Sequence, residues 1–194
     1  MPGSSNHLIS NDYDGWIDLL AWGTGNLIYG SHTDFVDWGT RPISNAGGHV
    51  YPWRTLTDEE WDYILYERQT SSGIRFTKAM VNNVRGLVLL PDDWSDSVYP
   101  LNNINDSGTY TGNVITESDW KDVLEANGAV FLPCAGKRTE YNVSGAGRTG
   151  YYWSTKRGWY LDFTSYSLYA YEPLQSYYYG LSVRLVWCVQ DEFK

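Results

Sequence analysis

Two segments of this 194-residue chain have the pattern of a short amphipathic helix, and they are built alike. In LTDEEWDYIL, Thr57 can cap the helix and Glu60 follows three residues later, which is the spacing of a capping box. In ITESDWKDVL, Thr116 and Asp119 repeat the arrangement, and an Asn-Gly pair at 127–128 can end the helix. Each cap is followed by a Trp and two apolar residues at helical spacing, so each helix has one face to bury. The acidic residues of both first turns are explained by the helix dipole rather than by catalysis.

The rest of the chain has the composition of short strands, tight turns and long loops. Its ten Trp, seventeen Tyr and nineteen Gly are typical of large aromatic anchors between turns. Because 42% of its residues are hydrophobic, the chain can bury a core without metal or disulfides. We therefore expect one α+β domain over residues 1–194, with two helices packed around small antiparallel sheets with long loops. The predicted strands are 73–81, 84–90, 129–133, 151–154, 159–163 and 181–189, and the predicted loops are 26–48, 92–112 and 142–150.

Charge and hydropathy argue against two kinds of partner. The net charge is -9, with fourteen Lys and Arg against twenty-three Asp and Glu, so a phosphate backbone would be repelled and no nucleic-acid partner is expected. The chain has no apolar run of about eighteen residues, so no membrane insertion is expected. The charged residues of segment 151–179 cancel, so this segment is neutral within an acidic chain.

The neutral segment is also crowded with tyrosine. Nine of the seventeen tyrosines lie within 151–179. Tyrosine offers a large, rigid, amphipathic contact at low entropic cost, and the intervening Ser and Gly supply adaptable polar contacts. A tyrosine-rich β core is the alternative. Since strand side chains alternate between faces, the run 177–179 cannot point entirely inward, and we expect part of the segment to form a recognition surface.

The sequence offers little catalytic chemistry. The three histidines, His7, His32 and His49, lack metal-ligand spacing, and no G-x-S-x-G or P-loop pattern is present. The acidic run at 92–96 lacks the spacing of a calcium loop and is interpreted as a solvated turn. We therefore expect no catalytic residues, no metal ligands and no cofactor.

The order of short motifs along the chain resembles a known family. WRTLTDEEWDYIL, GLVLLPDDW, a second T-x-x-D-W helix, GAVFLPCAGKR, GYYWST and GLSVRLV occur in this order between about residues 16 and 186. This order is similar to the C-type-lectin-fold variable proteins of diversity-generating retroelements, of the gut bacterial or phage type, which share the fold of the formylglycine-generating enzyme. The resemblance implies a C-type-lectin-like fold that presents residues 151–179 to a protein or carbohydrate surface. It also implies a location at the cell surface, outside the cell or on a virion.

The same resemblance implies which side chains bind the ligand. Such retroelements miscopy adenines at Asn codons, which can yield Tyr, Ser, Asp or Thr but not Lys, Glu, Gln or Trp. Trp153, Trp159 and Lys156 therefore have the character of fixed residues. The positions compatible with variation, and hence the expected ligand-binding residues, are Tyr151, Tyr152, Asp162, Thr164, Tyr166, Ser167, Tyr169, Tyr171, Ser176, Tyr177, Tyr178 and Tyr179.

Two alternatives remain open: an oxidase of the formylglycine-generating type, and a surface adhesin domain without diversification. The oxidase needs a close pair of reactive cysteines, whereas Cys134 and Cys188 are far apart in sequence and each follows apolar residues. Buried free thiols are expected, with a disulfide between neighbouring strands as the alternative. Calcium-dependent sugar binding is not expected, because the E-P-L at 172–174 keeps only part of the E-P-N motif of calcium-dependent lectins and W-N-D is missing.

Overall fold

The computed structural model describes residues 53–105, 108–139, 142–156, 158–173 and 179–187, together with two paired strands, β1 (Ser4–Ser5) and β2 (Trp16–Ile17). Within these ranges, two short helices accompany several small sheets, which confirms the expected mixed α+β class. None of the described helices is both long and apolar enough to cross a membrane.

The first predicted helix begins at the predicted threonine. The chain enters it from β3 (Trp53–Thr55), and α1 (Asp58–Asp62) continues into a π-helical turn, Tyr63–Glu67. The Thr57 hydroxyl accepts a hydrogen bond from the Glu60 N–H at 3.1 Å, and the Glu60 carboxylate accepts one from the Thr57 N–H at 2.9 Å. The capping box is thus confirmed. Glu60 also pairs with Arg54 of β3, which ties the strand to the start of the helix.

The second predicted helix also begins and ends where the sequence indicates. α2 (Glu117–Asp119) continues through a π-helical turn, Trp120–Leu124, and a 3-10 turn, Glu125–Asn127. The Thr116 hydroxyl accepts a hydrogen bond from the Asp119 N–H at 3.1 Å. Gly128 follows with a left-handed φ of 86°, a conformation that glycine adopts without steric cost.

The largest sheet has four strands. They are β4 (Phe76–Val81), β5 (Val84–Leu89), β6 (Val114–Ile115) and β7 (Val130–Pro133), in the order β6-β4-β5-β7. β4 and β5 form a hairpin through Asn82 and Asn83, whose φ angles of 46° and 64° match a two-residue hairpin turn. β6 pairs with β4 in parallel, and the other neighbouring pairs are antiparallel.

The C-terminal part of the described chain builds smaller sheets. The strands are β8 (Lys137–Thr139), β9 (Asn142–Ser144), β10 (Gly150–Trp153), β11 (Trp159–Phe163), β12 (Leu168–Pro173) and β13 (Leu185–Trp187). β10, β11 and β12 form an antiparallel sheet, β8 pairs with β9, and β13 pairs with β3. Gly180 bridges to Arg138 and Ser182 bridges to Tyr152, so this segment connects β8 to the edge of β10.

The four-stranded sheet separates two hydrophobic cores. On one face, Leu87 and Leu132 pack in a cluster with Trp61 of the first helix and the buried residues of β10, β11 and β12. On the other face, Val88 packs in a cluster with Leu124 of the second helical segment. The consecutive residues Leu87 and Val88 serve different cores because strand side chains alternate between faces. The three-stranded sheet therefore lies over the first core.

The predicted strands overlap observed strands, but several of their first or last residues were wrong. The prediction at 159–163 matches β11, and those at 73–81, 84–90, 129–133 and 151–154 overlap β4, β5, β7 and β10. The predicted loop at 142–150 was wrong at Asn142–Ser144, because these residues form β9 as the hairpin partner of β8. Loop was also wrong at the 3-10 turn Tyr110–Gly112, and the strand Leu168–Pro173 was missed. The prediction at 181–189 contains only β13 as a regular strand, and residues 188–189, like the predicted loop at 26–48, lie outside the described residues.

Candidate functional site

The three-stranded sheet has one face buried in the core. The residues that point to this face are Gly150, Tyr152, Leu161, Phe163, Leu168 and Ala170, and all are buried. The Tyr152 ring stacks on Phe163 with centroids 6.1 Å apart, and its hydroxyl donates to the Pro133 carbonyl at 2.8 Å. Burial raises the pKa of the Tyr152 hydroxyl. Tyr151, Asp162 and Tyr169, which pair across the three strands and have the opposite parity, are therefore turned away from the first core.

The opposite face presents a row of tyrosines and one aspartate across all three strands. Tyr151 of β10 lies opposite Asp162 of β11, which lies opposite Tyr169 of β12. Tyr160, two residues before Asp162, has its ring 5.8 Å from that of Tyr151. The Tyr169 side chain is 51% exposed, whereas Tyr151, Tyr160 and Asp162 are half-buried. The exposed edge of the row is thus at β12.

A lysine from a neighbouring hairpin sits over the β10 end of this row. The Lys137 ammonium of β8 lies 5.1 Å from the centre of the Tyr151 ring and 4.9 Å from that of Tyr179. Both contacts have the geometry of a cation–π interaction. The bridge between Arg138 and Gly180 holds Tyr179 beside β8. We call the set Tyr151, Tyr160, Asp162, Tyr169, Tyr179 and Lys137 the tyrosine face.

The turn between β11 and β12 places one tyrosine, Tyr166, in a highly exposed position. The Thr164 hydroxyl oxygen accepts hydrogen bonds from the N–H groups of Tyr166 at 3.0 Å and Ser167 at 3.2 Å, and it lies 2.9 Å from the Ser167 hydroxyl. The Thr164 N–H also donates to the Ser167 carbonyl at 2.9 Å. These bonds close the turn and leave Tyr166 at its tip, 86% exposed. A fixed backbone with a free aromatic side chain is well suited to binding, because only the side chain loses freedom.

Beside this turn lies a cleft of about 520 Å³ that we call the arginine cleft. Arg85 of β5 and Arg148, which precedes β10, line it together with Tyr110 and Tyr166. The remaining lining residues are five hydroxyl side chains, Thr109, Thr111, Thr149, Thr164 and Ser165. The Tyr110 hydroxyl donates to the Arg148 carbonyl at 3.2 Å, so the two walls are tied together.

Most of the predicted ligand-binding residues that the structure describes come together. Tyr151, Asp162, Tyr169 and Tyr179 belong to the tyrosine face, and Thr164, Tyr166 and Ser167 form the adjacent turn. Tyr152 is different: it is only 4% exposed and is a core residue, so it is withdrawn from the ligand-binding set. Tyr171 lies in β12 with its side chain outside the described part, and Ser176, Tyr177 and Tyr178 lie outside the described residues altogether.

Four residues at this site were missed from the sequence. Tyr160 could have been found, since it is two positions from Asp162 and shares its face in a strand. Lys137, Arg85 and Arg148 come from elements far apart in sequence, and no local pattern connects them to segment 151–179.

One thiol lies beside the arginine cleft, where it is hydrogen-bonded to a lining residue. Cys134 is a buried free thiol that donates to the Tyr110 hydroxyl at 3.3 Å, and burial raises its pKa, which opposes formation of the reactive thiolate. Among the described residues, no group of three or more His, Cys, Asp or Glu side chains could hold a metal ion. Cys188, His7, His32 and His49 lie outside the described residues.

Comparisons with protein families, curated proteins and solved structures find no significant match for this chain.

Proposed function

We propose that this chain is a non-enzymatic ligand-binding protein of C-type-lectin-like fold, whose tyrosine face and neighbouring turn bind a protein or glycan surface outside the cell or on a virion. The observation that carries the proposal is the row Tyr151, Asp162 and Tyr169, which faces away from the core across three hydrogen-bonded strands. Rigid strands present these side chains at fixed spacing, so little order is lost on binding. Tyrosine is also among the residues most enriched where binding energy concentrates.

The division between display and support agrees with diversification by adenine miscopying. Within segment 151–179, three described residues of types that miscopying cannot produce, Trp153, Lys156 and Trp159, make supporting contacts. Trp153 is 1% exposed, and Lys156 donates to the Asp58 carboxylate at 2.6 Å and lies 4.3 Å from the centre of the Trp159 ring. These contacts anchor the β10–β11 connection to the start of α1. The displayed Tyr, Asp, Thr and Ser residues are the types that miscopied Asn codons can produce, which supports a variable segment.

The binding test compares two kinds of exposed tyrosine. The double variant Tyr166→Ser, Tyr169→Ser removes the most exposed aromatic groups of the site. The control Tyr63→Ser removes a tyrosine of the first helical segment that is 52% exposed, close to the 51% of Tyr169. Wild type and both variants are applied to glycan and protein arrays. We expect the double variant to lose about thirtyfold or more in affinity for any ligand that the wild type binds. Tyr63→Ser should bind as the wild type does.

Equal binding by the wild type and the double variant would contradict the proposal, as would a wild type that binds nothing on either array. The proposed diversification has a separate test in the genome. A neighbouring reverse transcriptase gene, with a near-copy of the coding segment for residues 151–186 that differs at adenines, is expected. A chromosomal neighbourhood without either would leave a non-diversified adhesin.

The oxidase alternative has its own test. In the variant Cys188→Ser, a thiol reagent reports on Cys134 alone, and we expect labelling only after unfolding because the thiol is buried. Rapid labelling of the native protein would favour the oxidase instead.

A further inference from the structure

The arginine cleft is a second feature of the binding surface that the tyrosines do not explain. It is concave, and its volume of about 520 Å³ lies in the range of small-molecule sites. Tyr166 contributes to both the cleft and the exposed turn, so a ligand in the cleft also contacts the proposed recognition surface.

Hydrogen bonds and one close backbone packing contact join the segments that form the cleft. The Arg85 guanidinium donates to the Gly147 carbonyl at 3.3 Å, and the Gly108 N–H donates to the Ser165 carbonyl at 3.2 Å. Gly150 packs so closely on Phe163 that a Cβ at this position would overlap the ring. This close approach holds the residues before β10 beside the turn between β11 and β12. The elements that carry Arg85, Arg148 and Tyr166 are therefore joined to one another.

The charge of the cleft runs against that of the chain. Two guanidinium groups line it, and none of its lining residues is acidic, although the net charge of the protein is -9. Among the described residues, neither Arg85 nor Arg148 forms a salt bridge. Both side chains are exposed, so they meet a ligand without first breaking an ion pair. Arginine is the residue best matched to carboxylate and sulfate oxygens, because its planar fork can donate two parallel hydrogen bonds.

We propose that the arginine cleft binds an acidic sugar, with Arg85 and Arg148 on its carboxylate or sulfate group. The inference rests on the proposed function, since it names the ligand class for part of the same surface. The five hydroxyl side chains of the lining match the alternating hydroxyl groups of a sugar, and the exposed ring of Tyr166 offers a face for its apolar side.

The negative net charge of the protein favours a single acidic sugar over a long polyanion as the ligand. Charges separated by more than about 8 Å are largely screened at physiological salt, so one acidic group inside the cleft is affected mainly by the two arginines. A nucleic acid or a long sulfated chain would place many charges along a surface with a net charge of -9. An acidic peptide would leave the hydroxyl lining of the cleft largely unused.

The first experiment needs only the full-length wild-type protein. Methyl glucuronide and methyl glucoside differ in one group, a carboxylate in place of a hydroxymethyl, and methyl glucoside 6-sulfate carries a sulfate ester on that hydroxymethyl group. Each is titrated into the protein by NMR at low and physiological salt. We expect both acidic sugars to bind at least about tenfold more tightly than methyl glucoside, and added salt to weaken them. The two acidic ligands distinguish carboxylate from sulfate recognition.

The second experiment places the effect in the cleft. Arg85→Gln and Arg148→Gln should each weaken methyl glucuronide binding by about tenfold to a hundredfold, because each removes a charged hydrogen-bond donor. Arg184→Gln is the matched control, since it removes the same charge from an exposed arginine that lines a different groove. The control should bind as the wild type does. Thermal melting of all three variants verifies that they fold.

Two results would overturn the inference. One is equal binding of the acidic and neutral sugars by the wild type, including no binding of either; the other is a loss of affinity that is the same in all three arginine variants. If array ligands still depend on Tyr166 and Tyr169 in such a case, only the acidic-sugar inference fails. If the array test fails as well, the proposed function fails with it.

Discussion

The contrast between Tyr166 and Trp153 gives the most direct test of display against support. Both are aromatic and lie in the same C-terminal segment, yet Tyr166 is 86% exposed and Trp153 is 1% exposed. The substitutions are Tyr166→Ser and Trp153→Ala. If the segment divides as the structure shows, the two variants should differ sharply in the free energy of unfolding.

The magnitudes follow from the buried areas. A fully buried aromatic side chain removes about 150–250 Å² from water, and Tyr166 buries only about a seventh of its surface. At about 25 cal/mol per Å², losing that contact costs less than about 1 kcal/mol. Trp153 packs on the edge of Tyr160 with ring centres 6.3 Å apart, and its backbone N–H donates to the Ser182 carbonyl at 2.9 Å. Truncating such a residue typically costs about 3–5 kcal/mol.

Urea titration followed by circular dichroism measures both values under identical conditions. We expect the Tyr166→Ser midpoint to lie close to that of the wild type and the Trp153→Ala midpoint to fall far below it. A Tyr166→Ser variant destabilised as much as Trp153→Ala would refute the reasoning, because it would show that Tyr166 is packed in solution. An unaffected Trp153→Ala variant would refute the assigned core.

Three further predictions concern the scaffold. Thr57→Ala and Thr116→Ala should each cost about 0.5–2 kcal/mol in urea titration and leave ligand binding intact, since each hydroxyl caps a helix; costs near zero would mean that the caps are not formed in solution. The Arg54 guanidinium holds the pKa of Glu60 below its usual value, so folding favours the ionised carboxylate. This stabilisation is present above the ordinary glutamate pKa of about 4.3, and it is lost as the pH falls through the lower pKa of the folded state. The difference in unfolding free energy between wild type and Glu60→Gln should therefore shrink on acidification, and a difference that grows would contradict the assignment. Excess chelator should leave the melting temperature unchanged, and a fall of several degrees would reveal a metal site.

The helix starts were predictable because their bonds are local. Thr57 and Glu60 are three residues apart, so the sequence contains both partners of each capping bond. The strand β11 was predicted with its observed limits for a similar reason, since an alternating apolar pattern marks it. β9 was missed because nothing in residues 142–144 favours a strand until β8 is placed beside it.

The sequence predicted which segment forms the candidate site, but it did not predict which side chains of that segment belong to the site. Tyr151 and Tyr152 are adjacent and identical in type, and alternation requires only that they face opposite sides. Which of them faces the core depends on the sheet that covers one side, and the structure buries Tyr152 against Phe163. The arginine cleft was not predictable at all, because its two arginines meet only through the packing of β5 beside the turn that precedes β10.

The sequence by itself determined the mixed class, both helix caps, the neutral tyrosine-rich segment and the acidic remainder, because these depend on composition or on neighbours within a few residues. Tertiary structure alone decided which tyrosines are exposed and which charged side chains lie beside them. Trp153 shows the physical reason: it shares the outward parity of Tyr151, yet it is 1% exposed, and neither its sequence neighbours nor its type distinguishes the two cases. Burial is settled by what packs over a residue, and that partner comes from a distant part of the chain.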